Sequence, residues 1–283
     1  MMKSQGRFIL LYIIIGVNLL VGCGRKAAPQ YVIGVSQCSE DIWRDKFNKE
    51  LQMAEYLNDS IQVKLTSSND DSKLQTRQIN QMIDEKVDLL VIAPNQLNSI
   101  SPAINRAYDK GIPVIIYDRK ANSNKYTAFI GCDNYAIGKS MGEFIAQKLQ
   151  GKGRVVEIRG LEGSSPALER HRGFMEAMKK YPGMQVVASE AGDWKEESGK
   201  KAMQRILDKT RDFDYVFSHN DRMGWGAYQV VRDKGLARNY KFTGMDAMAT
   251  RNGGLELVRD GIFEASYLYP TKGDEVVALA MRI

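Results

Sequence analysis

Polar and aromatic side chains recur in this chain where its predicted strands end. Asp118 and Arg119 directly follow one apolar strand, and Asn134 lies just after the next. In an open α/β sheet, ligands bind beyond the carboxyl ends of the strands, so residues in these positions share one region of space. We therefore expect a cleft lined by short acids and amides with a serine, an arginine and a tryptophan: Ser36, Asp118, Arg119, Asn134, Trp194, Asn220 and Asp246.

This set of side chains suits a neutral polyol. Each sugar hydroxyl both donates and accepts; carboxylates accept from it, and an arginine donates in a fixed fork. The C–H faces of a sugar ring are apolar and lie well on an aromatic plane, which Trp43 and Trp194 are expected to provide from opposite sides. For any single residue the alternative of an ordinary loop cap stays open, because Asp and Asn favour strand-to-helix turns.

Two sequence patterns in this chain resemble catalytic or phosphate-binding motifs, but neither meets the structural or sequence requirements of its motif. Residues 138–142 match G-x-S-x-G, but that motif requires its serine at a sharp turn after a strand, whereas Ser140 is predicted inside a helix. A phosphate-binding loop ending at Ser140 would need glycine at position 133, which is Asp133. His219 has no second His or Cys at metal-binding spacing. We expect no catalytic residue, no metal and no cofactor, with a hydrolase as the less favoured alternative.

The remaining reactive side chains have simpler interpretations. His171 lies between two arginines on a predicted helix, where a solvated face is expected. Cys38 and Cys132 both follow strands, and an exported protein permits a disulfide, but the sequence does not show whether their Cα atoms are close enough. Two free, partly buried thiols are the simpler interpretation.

Composition indicates a globular protein without a nucleic-acid partner. The chain has 283 residues, of which 43% are hydrophobic and 26% charged, which excludes a disordered or fibrous chain. This length suits two lobes of about 100–150 residues each. The net charge is +6, and Lys3 and Arg7 of the N-terminal segment supply two of those charges. So small an excess does not favour nucleic acid, and no helix-turn-helix pattern precedes Tyr31.

After Tyr31, short apolar runs alternate with longer stretches of helical period, which predicts parallel sheets covered by helices on both faces. The ten strands would form one wide sheet or two sheets of five or six strands, and the length favours two. Asp41 and Ser72 are expected helix N-caps. The strands are predicted near residues 31–36, 62–66, 89–93, 114–117, 128–131, 155–158, 185–189, 215–217, 241–244 and 265–268.

The N-terminal segment has the pattern of an export signal. Lys3 and Arg7 precede an apolar run over 8–20, which is short for a spanning helix. The following Leu-Val-Gly-Cys, ending at Cys23, resembles a bacterial lipobox. We expect residues 1–23 to be a signal peptide with lipidation at Cys23, and 24–30 to be a polar tether. An uncleaved membrane anchor with a chance cysteine is the alternative.

From Tyr31 onward the chain resembles the type I periplasmic binding proteins, especially their ribose-binding branch. The resemblance rests on Ile-Tyr-Asp-Arg-Lys over 116–120, Ile-Gly-Cys-Asp-Asn over 130–134, Asn-Asp-Arg-Met over 220–223 and Gly-Met-Asp over 244–246. It implies that Trp194 is the stacking aromatic of the second lobe and Trp43 an aromatic of the first. It further implies sugar contacts for these residues: Asp118, Arg119, Asn134, Asn220 and Asp246.

The chain departs from that pattern in places that affect the choice of sugar. Leu168 stands where the family has a sugar-contacting arginine, and Arg170 follows two residues later as our candidate replacement. Leu268 and Tyr269 occupy a hinge stretch where the family has a glutamine. The resemblance therefore implies a monosaccharide, ribose-like or fructose-like, without selecting one.

A narrower resemblance concerns the signalling role. Gln-Cys-Ser over 37–39, His-Asn-Asp-Arg over 219–222 and Tyr-Pro-Thr-Lys-Gly-Asp over 269–274 look like the sensor domains of Bacteroidetes hybrid two-component systems. The partner would then be a histidine kinase module; the alternative is a solute-binding lipoprotein read by the permease of an ABC sugar importer. In the family, the helix that begins after Pro270 is followed by a last strand, so we expect this chain to be truncated.

The expected molecule is a two-lobed α/β protein of the periplasmic-binding-protein type I fold. Lobe 1 would comprise residues 31–131 and 269–283, lobe 2 residues 132–268, with a hinge near Cys132 and Leu268. We expect an exported, membrane-anchored periplasmic module that is not an enzyme and that closes on a sugar.

Overall fold

The computed structural model describes residues 29–283, which form two five-stranded parallel sheets. The first sheet has the strand order β2-β1-β3-β4-β5. Its strands are β1 (Tyr31–Gln37), β2 (Ile61–Ser67), β3 (Leu89–Ile92), β4 (Val114–Tyr117) and β5 (Ala128–Ile130).

The second sheet has the order β10-β9-β8-β6-β7. Its strands are β6 (Lys152–Arg159), β7 (Gly183–Ala191), β8 (Tyr215–Ser218), β9 (Lys241–Asp246) and β10 (Ala265–Leu268). Every strand pair is parallel. All ten predicted strands are present, and the preference for two sheets over one is confirmed.

Helices connect most of the strands and cover the sheets, whereas β4 runs to β5 without a helix between them. Asp41 caps the first helix through a bond from Arg44 N, as predicted. The prediction of Ser72 as an N-cap is wrong: the Asp71 carboxylate accepts from Lys73 N and Leu74 N instead. The helices are α1 (Ile42–Leu57), α2 (Ser72–Asp84), α3 (Ser101–Asp109), α4 (Asn134–Lys148), α5 (Ser165–Lys179), α6 (Glu196–Lys209), α7 (Asp221–Asp233), α8 (Gly254–Arg259) and α9 (Gly273–Ala280).

The first sheet is buried on both faces. Leu90 and Ile92 of β3 belong to a core that includes Ile104 of α3. Leu89 and Val91, which point the other way, belong to the core on the opposite face. Successive side chains of a strand point to opposite faces, so burial on both faces explains why β3 is an uninterrupted apolar run.

Two glycines let helices α4 and α5 touch through their backbones. A Cβ on Gly138 would lie 2.1 Å from the Arg170 carbonyl oxygen, and one on Gly173 would lie 2.1 Å from the Tyr135 carbonyl oxygen. Neither approach is possible for a residue with a side chain. The contact places Asn134, at the start of α4, beside Arg170 of α5.

Gly138→Ala is expected to destabilise the protein by about 1–3 kcal/mol, because the added methyl group forces the two helices apart. Urea unfolding followed by circular dichroism measures the change. Ser140→Ala, two residues along the same helix and half-buried, is the control and should leave stability nearly unchanged. If Gly138→Ala were as stable as the wild type, the close helix contact would be refuted.

The last helix returns to the layer that covers the first sheet. Helix α9 packs against α1, and Glu50 of α1 accepts hydrogen bonds from Gly273 N at 2.8 Å and Thr271 Oγ1 at 2.6 Å. Within residues 29–283, no helix combines the length and the apolar character needed to cross a membrane. The predicted signal peptide, Cys23 and most of the 24–30 tether lie outside the described residues.

Candidate functional site

A cleft lies between the carboxyl ends of the two sheets. Asp118 and Arg119 reach it from the end of β4, Trp194 follows β7, Asn220 follows β8, and Asp246 ends β9. Parallel strands bring these residues together because their carboxyl ends meet at one edge. Seven of the nine residues predicted from the sequence line the cleft: Trp43, Asp118, Arg119, Arg170, Trp194, Asn220 and Asp246.

Ser36 and Asn134 are outside the cleft lining, contrary to the sequence expectation. Ser36 is fully buried under the cleft, where its Oγ accepts from Gln75 Nε2 at 3.2 Å. The Asn134 side chain is also buried; its Oδ1 accepts from Arg170 Nε at 2.8 Å, and its Nδ2 contacts the Tyr269 hydroxyl at 3.4 Å. Asn134 therefore supports Arg170 from behind.

Several lining residues were missed by the sequence analysis. Asp41 and Arg44 surround the start of α1, directly after β1, and Tyr269 follows β10. The strand-end rule that found Asp118 also applies to Asp41 and Tyr269, but Asp41 was interpreted only as a cap. Arg44 carried no such signal, because it lies one turn inside a helix. The other lining residues not predicted are Ile42, Pro166 and Arg222.

Asp118 is the centre of a buried polar cluster. Arg44 Nη2 donates to its Oδ2, the Tyr269 hydroxyl donates to its Oδ1 at 2.8 Å, and Arg119 Nε lies 4.0 Å from Oδ2. Burial disfavours the carboxylate, but the charges of Arg44 and Arg119 outweigh it, so the pKa of Asp118 lies below its ordinary value. Asp118 is therefore ionised at neutral pH.

Three cleft residues have backbone conformations that non-glycine residues rarely adopt. Asp118 has φ 59°, Trp194 φ 68° and Asp246 φ 117°. Successive side chains of an extended chain point to opposite sides, so Asp118 and Arg119 can both face the cleft only if the chain turns after Tyr117. The positive φ of Asp118 provides this turn. Such strain persists only where surrounding structure holds it, and it concentrates at functional sites.

Two arginines enter the cleft from opposite sides, Arg119 from the end of β4 and Arg170 from helix α5, and both lie near the same indole. Arg119 Nη1 donates to the Asn95 carbonyl oxygen at 3.0 Å, and Arg170 Nη1 donates to the His219 carbonyl oxygen at 2.5 Å. Their guanidinium carbons lie 5.9 and 5.3 Å from the centre of the Trp194 ring. Each guanidinium has five N–H donors, so these bonds to neutral oxygens leave donors for a ligand.

Trp194 is held in place through its backbone and one face of its ring. Asn220 Nδ2 donates to the Trp194 carbonyl oxygen at 3.1 Å, and Trp194 N donates to Met223 Sδ at 3.2 Å. The indole packs directly on Gly160, where a Cβ would lie 2.0 Å from Trp194 Cζ2. Its Nε1 is buried without a hydrogen-bond partner in the described part of the chain.

Asp246 is half-buried and lies beside the buried carboxyl of Asp221. Asp221 Oδ1 accepts from Ser266 Oγ at 2.6 Å and Oδ2 accepts from Ala247 N at 2.8 Å. Burial raises the pKa of both carboxyls, and the charge of Asp221 raises the pKa of Asp246 further. The two acids therefore resist ionising together.

Asp246→Asn is expected to stabilise the protein at pH 8. A carboxyl whose folded pKa is raised contributes full stability below its ordinary value of 3.8 and loses it as pH rises toward the folded value. Removing one acid of the pair should therefore raise the free energy of unfolding at pH 8, by an amount that shrinks toward pH 4. Urea titrations across this range test it. Asp233→Asn, at a largely exposed carboxylate beside Arg232, is the control and should leave the free energy of unfolding at pH 8 nearly unchanged.

Within residues 29–283, no group of three or more His, Cys, Asp and Glu side chains is placed to hold a metal ion. Cys38 is buried and Cys132 half-buried, and both are free thiols. Ser140 lies within α4, away from any strand end. The side chains that line the cleft supply hydrogen-bond donors, hydrogen-bond acceptors and aromatic stacking surfaces.

Comparison with known proteins agrees with this geometry. The chain is 29% identical over 234 residues to the galactofuranose-binding protein YtfQ of Escherichia coli, covering 80% of this chain and 73% of that one. It is 32% identical over 175 residues to the ribose import binding protein RbsB of Bacillus subtilis; this match spans 62% of the chain and 57% of the relative. The fructose binding periplasmic domain of hybrid two component system BT1754 superposes with a TM-score of 0.87 at 43% identity, covering 89% of this chain and 84% of that one.

These similarities confirm the two-lobed α/β fold and the resemblance on which it was predicted. The matching family consists of periplasmic substrate-binding proteins, which agrees with the expectation of a protein that is not an enzyme. Since the model of the periplasmic binding protein domain matches residues 33–283, the chain belongs to the periplasmic binding protein family.

Proposed function

We propose that this protein binds a monosaccharide in the cleft between its two sheets. The observation that carries the proposal is the convergence of two arginines on the Trp194 ring: Arg119 follows β4 of the first sheet, and Arg170 lies on α5 beside the second sheet. Hydrogen-bond donors that approach one aromatic ring from two directions suit a small ligand ring that bears hydroxyls around an apolar face. Three similar proteins are named for binding galactofuranose, ribose or fructose, which supports the same class of ligand.

Each proposed contact follows from the chemistry of its side chain. Asp118 and Asp246 accept from sugar hydroxyls, Arg119 and Arg170 donate to them, and Trp194 stacks on the ring. Trp43, Asn220 and the other cleft residues complete the wall. Arg170 thus makes the sugar contact that the family's arginine would make from position 168. At that position this chain has a Leu with 48% exposure.

The sugar would act by holding the two lobes together. We place the boundaries at 131/132 and 268/269, so that lobe 1 contains residues 31–131 and 269–283 and lobe 2 contains residues 132–268. The lobes already meet across the cleft: Leu97 N donates to the Gly163 carbonyl oxygen at 3.1 Å, and Lys120 N donates to Ser165 Oγ at 2.7 Å. A ligand that contacts both lobes stabilises this closed arrangement by its differential affinity for it.

As the partner, we propose a histidine kinase module that reads the closure. The 43% identity to the fructose binding periplasmic domain of a hybrid two-component system supports this role. The relatives named for import support the alternative of an ABC permease. If the partner is an ABC permease, a lipid on Cys23 would keep the protein at the membrane. Reading the gene beyond the codon for Ile283 separates the two: a transmembrane helix followed by a kinase supports the sensor, and a stop codon soon after supports the importer.

A calorimetric panel tests sugar binding directly. Residues 24–283 are titrated with D-fructose, D-ribose, L-arabinose and D-galactose, with glycerol as an acyclic control. We expect at least one sugar to bind with a micromolar or lower Kd and to raise the melting temperature, because ligand binding to the folded state stabilises it. The absence of both heat and thermal stabilisation with every sugar would refute the proposal.

A further inference from the structure

A buried group that the proposed binding contacts do not use lies behind the wall of the cleft. Glu157 of β6 has no exposed surface, and its carboxylate receives Ser189 Oγ at 2.6 Å, His219 Nε2 at 2.9 Å and His171 Nδ1 at 2.8 Å. Burial opposes its ionisation, but the hydrogen bonds from the two histidines outweigh that and lower the pKa of Glu157 to about 2. An ionised carboxylate only accepts hydrogen bonds, so each of its three partners donates.

The protonation of His219 follows from its two ring contacts. Nε2 faces the Glu157 carboxylate, which only accepts, and Nδ1 faces Gly160 N, which only donates, at 3.4 Å. His219 must therefore carry its proton on Nε2 and accept at Nδ1. Its complete burial lowers its pKa, which keeps the ring neutral.

His219 joins the two ligand-facing features of the second lobe. Its Nδ1 accepts from Gly160 N, and the Trp194 indole packs against Gly160. Its carbonyl oxygen accepts the Arg170 guanidinium at 2.5 Å. Asn220, the next residue, holds the Trp194 carbonyl oxygen.

We propose that His219, locked in its Nε2-protonated form by Glu157, is a positioning residue that sets the aromatic platform and Arg170 for the ligand. This rests on the proposed function, since the platform is assigned to a sugar. Glu157 acts through its acceptor oxygen: without it, the His219 Nε2–H has no partner, and turning the proton to Nδ1 would oppose it to Gly160 N–H. Either outcome displaces the wall under Trp194.

A pair of substitutions separates the acceptor from the charge. In Glu157→Gln, the side-chain oxygen still accepts from His219 Nε2–H. The amide NH2 then meets Ser189 Oγ and His171 Nδ1, both of which can accept once the neutral His171 ring carries its proton on Nε2. In Glu157→Leu, the volume is similar but the acceptor is gone. We expect Glu157→Leu to weaken binding of the best sugar of the panel by at least about tenfold and to move the Trp194 indole N–H resonance in the ligand-free protein. Glu157→Gln should stay within about threefold of wild type, with the resonance near its original position.

Glu264→Leu is the matched control, because Glu264 lies in the same lobe outside the cleft, between Lys241 and Lys148. It should leave affinity and the Trp194 resonance unchanged. If Glu157→Leu fails to fold, His219→Leu replaces it: the apolar side chain neither donates to Glu157 nor gives Gly160 an acceptor, so the same two losses are expected. Unchanged affinity and an unchanged Trp194 resonance in whichever of these variants folds would overturn the proposal.

A measurement without sugar keeps this inference separate from the proposed function. The ring ¹⁵N shifts of His219 in the ligand-free wild type at pH 7 should show a neutral imidazole protonated at Nε2. A charged ring, or a proton on Nδ1, overturns the proposal whether or not a sugar binds. If no sugar in the panel binds but the tautomer and the Trp194 shift are as expected, the sugar proposal fails and the positioning role of His219 stands.

Discussion

Asp118→Asn is expected to destabilise the ligand-free protein by about 3–5 kcal/mol, because it leaves the buried Arg44 without its counter-charge. Both partners are deeply buried, with 3% of the Arg44 side chain and 7% of the Asp118 side chain exposed. The Asn oxygen can still accept from Tyr269, so the main loss is the ion pair. Urea unfolding monitored by circular dichroism gives the free energy.

The double variant Arg44→Met/Asp118→Asn separates the ion pair from the ligand contact. Replacing both members of a buried pair is often nearly neutral, so the double variant should recover much of the stability. Its sugar affinity should remain low, since the acceptor carboxylate is still missing. A single Asp118→Asn variant as stable as wild type would show that Arg44 does not depend on Asp118.

Trp194→Ala is expected to weaken sugar binding roughly ten- to hundredfold, through the loss of stacking and of buried contact area. The fold should survive, because Trp194 lies between β7 and α6 rather than within either element. Calorimetry measures the affinity, and the ligand-induced change in tryptophan fluorescence should fall with it.

Trp225→Ala provides the matched control for this change. Trp225 belongs to α7 of the same lobe and stacks on Tyr228 at 5.7 Å, outside the cleft lining. Its removal should leave sugar affinity unchanged while lowering the total fluorescence. If Trp194→Ala bound sugar as tightly as wild type, the stacking surface would have to be sought elsewhere, with Trp43 as the next candidate.

The order and type of the strands and helices were predictable from the sequence by itself. Apolar runs such as β3 and β4 are local patterns, and their burial on both faces requires a parallel sheet with helices on each side. Most residues of the cleft could then be predicted because they follow those strands. Whether a residue follows a strand depends on the order of elements along the chain and not on how side chains pack. Asp118, Trp194 and Asp246 were found in this way.

Which side chains meet was decided only by the tertiary structure. Asp118 pairs with Arg44, 74 positions earlier, and receives the hydroxyl of Tyr269, 151 positions later. No local pattern encodes such contacts, because they depend on the order of strands in the sheet and on which rotamers fit between them. The same holds for Asn134, which was expected to face the ligand and instead supports Arg170.

The histidines show the physical reason most clearly. His171 was predicted on a solvated helix face, yet it is half-buried and donates to Glu157, 14 positions earlier on β6. Periodicity locates a residue on a helix surface, but it does not show that a buried carboxylate lies under that surface. Burying a charge is costly unless donors surround it, and only the packed fold brings His171, His219 and Ser189 to Glu157 at once.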